Sequence, residues 1–508
     1  MSKPPATSRT LVLFAIAIPL ATVIGFLLAT PDAPTSIFMV GLILAILTTP
    51  FFLRWHHPLL ILTWNASMTV FFLPGRPGVW MIVGGISLGI TILSCVLNKE
   101  QKFQHVPALT WSLMFLLGVV VLTAKLNGGI GLRSLGGAQY GGKGYAFIIA
   151  AIIGYFALSS VRIPPERAQR YALLFFISGI ALVISNLAYL GGPGFWFLFH
   201  VFPVDMAMAQ AFDDFNPYYS MNRITGLGFA AVALCNVFLL RYGIRGLLDV
   251  GKPVRLLLFL LAFAASLAGG FRSALVLVVL GFTVQFFIEG LHRTRFVLAL
   301  AVGVVLGFAA LVPVVSKLPL AVQRSLSIIP FLDVNPIAKI DAQGTLDWRL
   351  KMWEIVLPEV PRYLWIGKGY AINPTDLFLA EESARRGIGK PYEGILIGGD
   401  YHNGPLSLII PFGLPGVLAF VCVLIAGGRA LYKNWKLKDP ALHNINTLLL
   451  SLFVTKLIFF VVVFGAFFTD LVIFLGFFGL SIAINGVRPQ SQPAAERSAI
   501  RELVPAHA

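Results

Sequence analysis

Residues 405–426 read PLSLIIPFGLPGVLAFVCVLIA, a run without one charged side chain. A helix crosses the hydrocarbon core of a bilayer in about 20 apolar residues. By length and composition this run is a membrane crossing. Just before it stands Asp400-Tyr401-His402-Asn403-Gly404, and before that a mixed polar stretch reaches back to Ser316. After it, charge returns at Arg429, Lys433, Lys436 and Lys438, and two more apolar runs follow, Thr447 to Phe467 and Leu471 to Ile484.

The pattern repeats upstream. Apolar runs include Leu11 to Ala29, Ile37 to Leu53, Leu59 to Leu73, Val79 to Leu97, Ala108 to Ala124, Tyr145 to Leu158, Tyr171 to Leu190 and Ile224 to Leu240. Three shorter ones are Leu256 to Ala268, Ala274 to Ile288 and Phe296 to Val315. The pair flanking Arg272 is short enough to be tilted helices or a re-entrant hairpin. The whole chain of 508 residues is 57% hydrophobic and 12% charged, with a mean hydropathy of +0.85. A soluble protein of this size cannot hide so much apolar surface. The expected fold is an all-α polytopic membrane protein with about 12 to 14 crossings and one large, partly helical outer loop. The expected division is 1–315, an N-terminal bundle with an outer loop over 191–223; 316–403, the large loop; 404–487, the last crossings; and 488–508, a disordered cytoplasmic tail. The first run is read as a retained span, not a cleaved signal peptide.

Orientation follows from the basic residues, since cytoplasmic connections collect Lys and Arg. With both termini cytoplasmic, most of the 38 Lys and Arg residues fall in inner connections and few in the short outer ones. The net charge of +16 is thus read as charge facing an anionic leaflet, not nucleic acid. The loop 316–403 then faces outward. Inside it, Asn373-Pro374 offers a cap followed by a proline at the first helical position. Glu381 with Arg385, and Glu382 with Arg386, are spaced to pair on one helix face. A second helix is expected from about Thr345 to just before Pro358, carrying Trp348, Arg349 and Trp353. The three cysteines, Cys95, Cys235 and Cys422, lie in apolar runs and are read as small buried side chains.

Of the eight histidines, only His200 and His402 map to the outer side. His402 sits where the loop meets a crossing. A base there can meet a substrate with a polar head and a tail in the bilayer. The outer arginines are Arg223, Arg272, Arg324, Arg349 and Arg362. A guanidinium matches phosphate oxygens. Arg272, in Gly269-Gly270-Phe271-Arg272-Ser273, lies between apolar runs, where a cation must be paired or solvated or must snorkel to lipid phosphate. Lys456 is the one basic residue deep in a run and is expected to pair between helices or snorkel, without a catalytic role. No nucleotide or dinucleotide fingerprint is present. Asp213-Asp214 is the nearest approach to an acidic metal cluster and is not read as one.

At these residues the chain resembles the O-antigen ligase family. His402-Asn403 followed by Gly413-Leu414-Pro415-Gly416 is similar to the family's His-Asn…Gly-x-x-Gly signature. Arg349-Leu-Lys-Met-Trp353, Trp365-Ile-Gly367-Lys-Gly369-Tyr370, Arg223-Ile-Thr-Gly226 and the Gly-Phe-Arg272-Ser segment look like further family features. The resemblance implies a GT-C-like glycosyltransferase of the bacterial inner membrane with its site in the periplasm. It would move a glycan from a polyprenyl diphosphate carrier to an acceptor hydroxyl, inverting the anomeric centre without metal or cofactor. His402, Arg272 and Arg349 would be catalytic, and Arg223, Asn403, Arg324 and Trp353 would bind substrate. The implied partners are the lipid-linked oligosaccharide donor, a lipid A–core or other glycan acceptor, and membrane lipids. Which loop arginine holds the diphosphate stays open. So does ligase against polymerase, since both use the same donor. A solute transporter or a purely structural scaffold are the readings from other classes. A transporter predicts repeated halves and broken helices at midplane, and no repeat is visible.

Overall fold

The computed structural model describes residues 33–98, 103–132, 140–213, 222–388 and 393–486, with isolated helical positions at 18, 21, 22 and 25. The first expected crossing, Leu11 to Ala29, the tail 488–508, and Asp214, Tyr218 and Tyr219 lie outside the described residues. The chain forms two compact units, 1–56 and 57–508. In the first, the described chain is the opening part of helix α1, Ala33–Thr63. Apart from α1, everything below concerns the second.

Eight helices there are long and apolar enough to cross a membrane. They are α2 (Val79–Leu97), α3 (Pro107–Asn127), α4 (Gly142–Ser160), α5 (Pro165–Gly191), α6 (Thr225–Leu247), α13 (Gly404–Lys436), α14 (His443–Val463) and α15 (Phe467–Asn485). Three shorter apolar helices, α7 (Pro253–Gly269), α8 (Arg272–Ile288) and α9 (Phe296–Leu311), stand between α6 and the large loop. The loop itself carries α10 (Leu320–Leu326), α11 (Pro336–Val356) and α12 (Pro374–Arg385). Among the described residues there is no β-strand, only isolated bridges at Thr69–Gly78 and Tyr140–Ile372. The protein is a multi-pass membrane protein.

Two of the expected runs share one helix. The runs Ile37 to Leu53 and Leu59 to Leu73 were expected as two crossings. One continuous helix, α1, passes through Arg54, His56 and His57 and ends at Thr63, and the chain from Trp64 to Gly78 is irregular. The helix runs on through this polar cluster and through Pro50 and Pro58, although each interior proline removes one backbone hydrogen bond. One expected connection is thereby lost.

The core of the bundle is aromatic. Phe412, Phe420, Phe467 and Phe474 are buried and meet edge to face, with Phe420 5.1 Å from Phe467 and 5.9 Å from Phe474. Such pairs each add about 0.5–1.5 kcal/mol beyond the area they bury. α15 packs along α4, α3 along α13, and α8 along α14. Lys456 of α14 finds its partner in Asp470 of α15, 2.7 Å away. Both are largely buried, and pairing is what makes charge tolerable at that depth.

The end of the bundle away from the large loop is closed by polar pairs. The amides of Asn446 and Asn485 exchange hydrogen bonds at 2.9 and 2.8 Å, and Ile163 N–H donates to Ala483 at 2.8 Å. The other end carries the large loop, which the bundle holds through backbone. α13 breaks at Gly413, whose φ is +60°, between Pro411 and Pro415. A proline cannot donate, and a broken turn frees carbonyls. The loop fills these vacancies. Lys368 N–H donates to Ile410 at 2.8 Å and Gly369 N–H to Pro411 at 2.9 Å, while Leu414 N–H returns to Leu364 at 2.7 Å. A Cβ on Gly367 would lie 2.0 Å from the Pro411 oxygen. The two glycine segments noted in the sequence therefore lock into each other and seat the loop on the bundle.

Candidate active site

The platform of the site is α11. Asn335 caps it by accepting from Ile337 N–H at 2.9 Å, with Pro336 in its first turn. The helix starts well before the expected Thr345, because Asn335-Pro336 is the same cap-and-proline signal that was read at Asn373-Pro374. The latter forms too, with Asn373 accepting from Thr375 N–H at 3.0 Å. In α12 one carboxylate, Glu382, takes both Arg385 and Arg386, at 3.0 and 2.8 Å.

Along α11, Asp341, Thr345, Trp348, Arg349 and Trp353 are set at helical steps. Asp341 accepts from Arg223, 2.8 Å away at the entry of α6, and from Arg324 of α10. Arg324 is 4% exposed. It also donates to the carbonyl of Gly270 and to Thr345 Oγ1, at 2.8 Å for the latter. Arg272, the first residue of α8, donates to the carbonyl of Ala342 at 2.6 Å. Gly270 adopts φ +69° just before it, which turns the chain tightly enough to present both Arg272 and the Gly270 carbonyl to α11. A cavity of about 320 Å³ flanks this side, with Thr225, Gly226 and Phe271 in its wall.

Further along α11, Arg349 lies with its guanidinium carbon 5.3 Å from the centre of the Phe464 ring. The His402 ring is 5.1 Å from the same Phe464 and 5.2 Å from Trp348. Phe464 comes from the short connection between α14 and α15. His402 has φ +48°, an uncommon conformation for a side-chain-bearing residue, costing about 1–2 kcal/mol. The surroundings hold it there. Asp400 Oδ1 accepts from His402 N–H at 3.2 Å, Trp353 Nε1 donates to the carbonyl of Tyr401 at 2.8 Å, and Asn403 caps α13 by accepting from Leu406 N–H at 3.0 Å. Beside the Phe464 ring, the buried Arg349 Nε and His402 Nδ1 make no hydrogen bond among the described residues. The nearest carboxylate to the latter is Asp400 Oδ1, at 3.7 Å.

The electrostatics are set by burial and by crowded cations. Burial lowers the His402 pKa from its ordinary 6.5; Asp400 pulls it back up, and Arg349 pushes it further down. The imidazole is therefore neutral at pH 7, the form that accepts a proton. Burial also lowers the Arg349 pKa, with Arg272 and Arg324 acting in the same direction and Asp400 opposing them. Arg349 stays charged regardless, because a guanidinium does not deprotonate in proteins. The charges coupled here are four guanidiniums, Arg223, Arg272, Arg324 and Arg349, and two carboxylates, Asp341 and Asp400. The excess of positive charge suits an anion.

Residues 256–421 match the family model described as O-Antigen ligase. Over that stretch the chain is similar to the O-antigen ligase family. No curated protein was found to match it. The ligase-family segment contains Arg272, Arg324, Asp341, Arg349, Asp400, His402 and the Gly413 kink, and it stops short of Phe464.

The structure brings together His402, Arg349, Arg272, Arg324 and Arg223, all singled out in the sequence. It gives Asn403, Trp353 and Arg324 protein partners. His200 lies elsewhere, 5.2 Å from Phe71, and Arg362 stacks on Tyr363. Sequence reasoning missed Asp341, Asp400, Trp348 and Phe464 as parts of the site. Asp400 was legible as a neighbour of His402. Phe464 was not, since one phenylalanine among 42 in an apolar run carries no signal.

Proposed function

We propose that this ligase-family protein transfers a glycan from a polyprenyl diphosphate carrier to an acceptor hydroxyl at the outer face of the bacterial inner membrane. The observation that supports this best is the shared contact with the Phe464 ring. A neutral imidazole and a guanidinium with an unused N–H meet on one ring, at the mouth of a crossing. A membrane-held donor presents its diphosphate at that depth.

In this reading the acceptor hydroxyl gives its proton to His402 as its oxygen attacks the anomeric carbon. The bond from that carbon to the diphosphate oxygen breaks, and the diphosphate leaves with the electron pair. Attack from the face opposite the leaving group inverts the centre. Arg349 and Arg272 meet the charge that grows on the leaving diphosphate, where fixed donors act most strongly. Arg223, Arg324 and Asp341 fix α11 beneath them. Trp353 and Asn403 hold the backbone on either side of His402. The step needs no metal or cofactor, since the guanidiniums carry the charge. The same reading places the loop 316–403 in the periplasm and the C-terminus in the cytoplasm. It treats 1–315 and 404–487 as the bundle that carries that loop, and 488–508 as a tail.

The test is transfer by the full chain, reconstituted with a lipid-linked oligosaccharide donor and offered both acceptors. Glycan on lipid A–core establishes the ligase. Longer carrier-linked chains establish a polymerase, the alternative that shares the donor. Solute flux into the vesicles without any new glycosidic bond contradicts both and favours a transporter.

A further inference from the structure

At the end of the bundle opposite His402, the last turns of α13 carry a one-sided stripe. Cys422, Ile425, Ala426, Arg429, Ala430 and Lys433 follow at steps of three and four or fall between them on one helix face. That face borders a cavity of about 1250 Å³. The start of α3, at His105, Pro107 and Ala108, and the end of α15, at Ile482 and Asn485, line the rest.

The wall changes character along α13. Cys422, Ile425 and Ala426 form an apolar inner part, and Arg429, Lys433 and Lys436 a cationic outer part. Among the described residues none of these three cations forms an ion pair. Cations gathered without a counter-charge repel one another, so the arrangement gains most when an anion enters. Free phosphate would use the outer part and leave the apolar wall bare. A molecule with a phosphate head and acyl tails uses both.

We propose that this groove binds an anionic phospholipid of the leaflet on that side, with its phosphate on Arg429 and Lys433 and an acyl chain along Cys422 and Ile425. The site lies at the far end of α13 from His402 and does not depend on the transfer reaction.

The test is native mass spectrometry of the full chain in detergent, titrated with phosphatidylglycerol or phosphatidylcholine. The expected result is preferential retention of phosphatidylglycerol. Replacing Arg429→Gln together with Lys433→Gln weakens that binding about 30-fold, from roughly one unit of surface electrostatic attraction per cation. The pair Lys252→Gln and Arg295→Gln removes equal charge from other connections and leaves binding unchanged. Ala108→Trp keeps every charge, fills the apolar wall and weakens binding as well. All five positions are exposed, so the variants keep the fold, which thermal unfolding checks. Equal loss in both double variants would show diffuse surface charge only and overturn the proposal. So would displacement of the lipid by glycerol phosphate, or an Ala108→Trp variant that binds normally.

Discussion

Two groups of cations share α11, and they are used differently. Around Asp341, Arg324 gives its donors to a carboxylate, a carbonyl and a hydroxyl, and it is buried. Around Phe464, Arg349 Nε and His402 Nδ1 have no hydrogen-bond partner among the described residues. A buried polar atom left unsatisfied costs about 1–3 kcal/mol. Where such atoms stand together, a ligand that completes them is the natural account. The difference separates a framework from a working surface, although both are built from the residue type that the sequence offered as diphosphate clamps.

The comparison can be broken by mutation. The largest effect is expected at His402. His402→Asn keeps a residue that tolerates the left-handed backbone and removes the base, so transfer falls by about 10²–10⁴-fold while the unfolding temperature holds. Next comes the framework. Arg324→Gln removes the bonds to Asp341, Gly270 and Thr345 and lowers stability by about 1–3 kcal/mol, read as a drop in the thermal midpoint. Adding Asp341→Asn recovers part of that loss if the defect is the unpaired charge. Arg349→Gln is expected to cut kcat by about 10²–10³-fold without loss of folded protein. If the two arginine variants behave alike, the division between framework and working surface is wrong. The smallest effect is at Asn403. Asn403→Ala removes a helix cap, costs about 1 kcal/mol of stability, and slows transfer only as far as the His402 backbone shifts.

Much of this was legible in the chain. Run lengths located the crossings of the bundle from Val79 onward, and the charge-free stretch before Arg429 marked the helix that begins at His402. The cap signal read at Asn373 forms, while the same signal at Asn335 was overlooked. Two features were not readable. The continuity of α1 through Arg54 and His57 runs against the local signal, since Pro50, Pro58 and the polar cluster between them all read as a connection. The roles of the glycines depended on contacts between distant segments. Gly367, Gly369 and Gly413 read as a family pattern, but only the structure shows that the first two seat the loop in the gap the third opens. The arginines were legible as candidates without ranks. Their ranking rests on partners such as Asp341 and Thr345, which periodicity alone did not single out.

The most direct test of the central claim is the pH dependence of kcat/KM, which reports the free enzyme's base. In the wild-type protein the acid limb should fall below pH 6.5, because burial and Arg349 outweigh Asp400 in setting the His402 pKa. Removing the charge that raises this pKa, with Asp400→Asn, should move the limb to lower pH. Removing the cation that lowers it, with Arg349→Gln, should move the limb to higher pH in the residual activity. Opposite displacements would support His402 as the base beside both groups. A limb that stays fixed in both variants, or moves the same way in each, would contradict it.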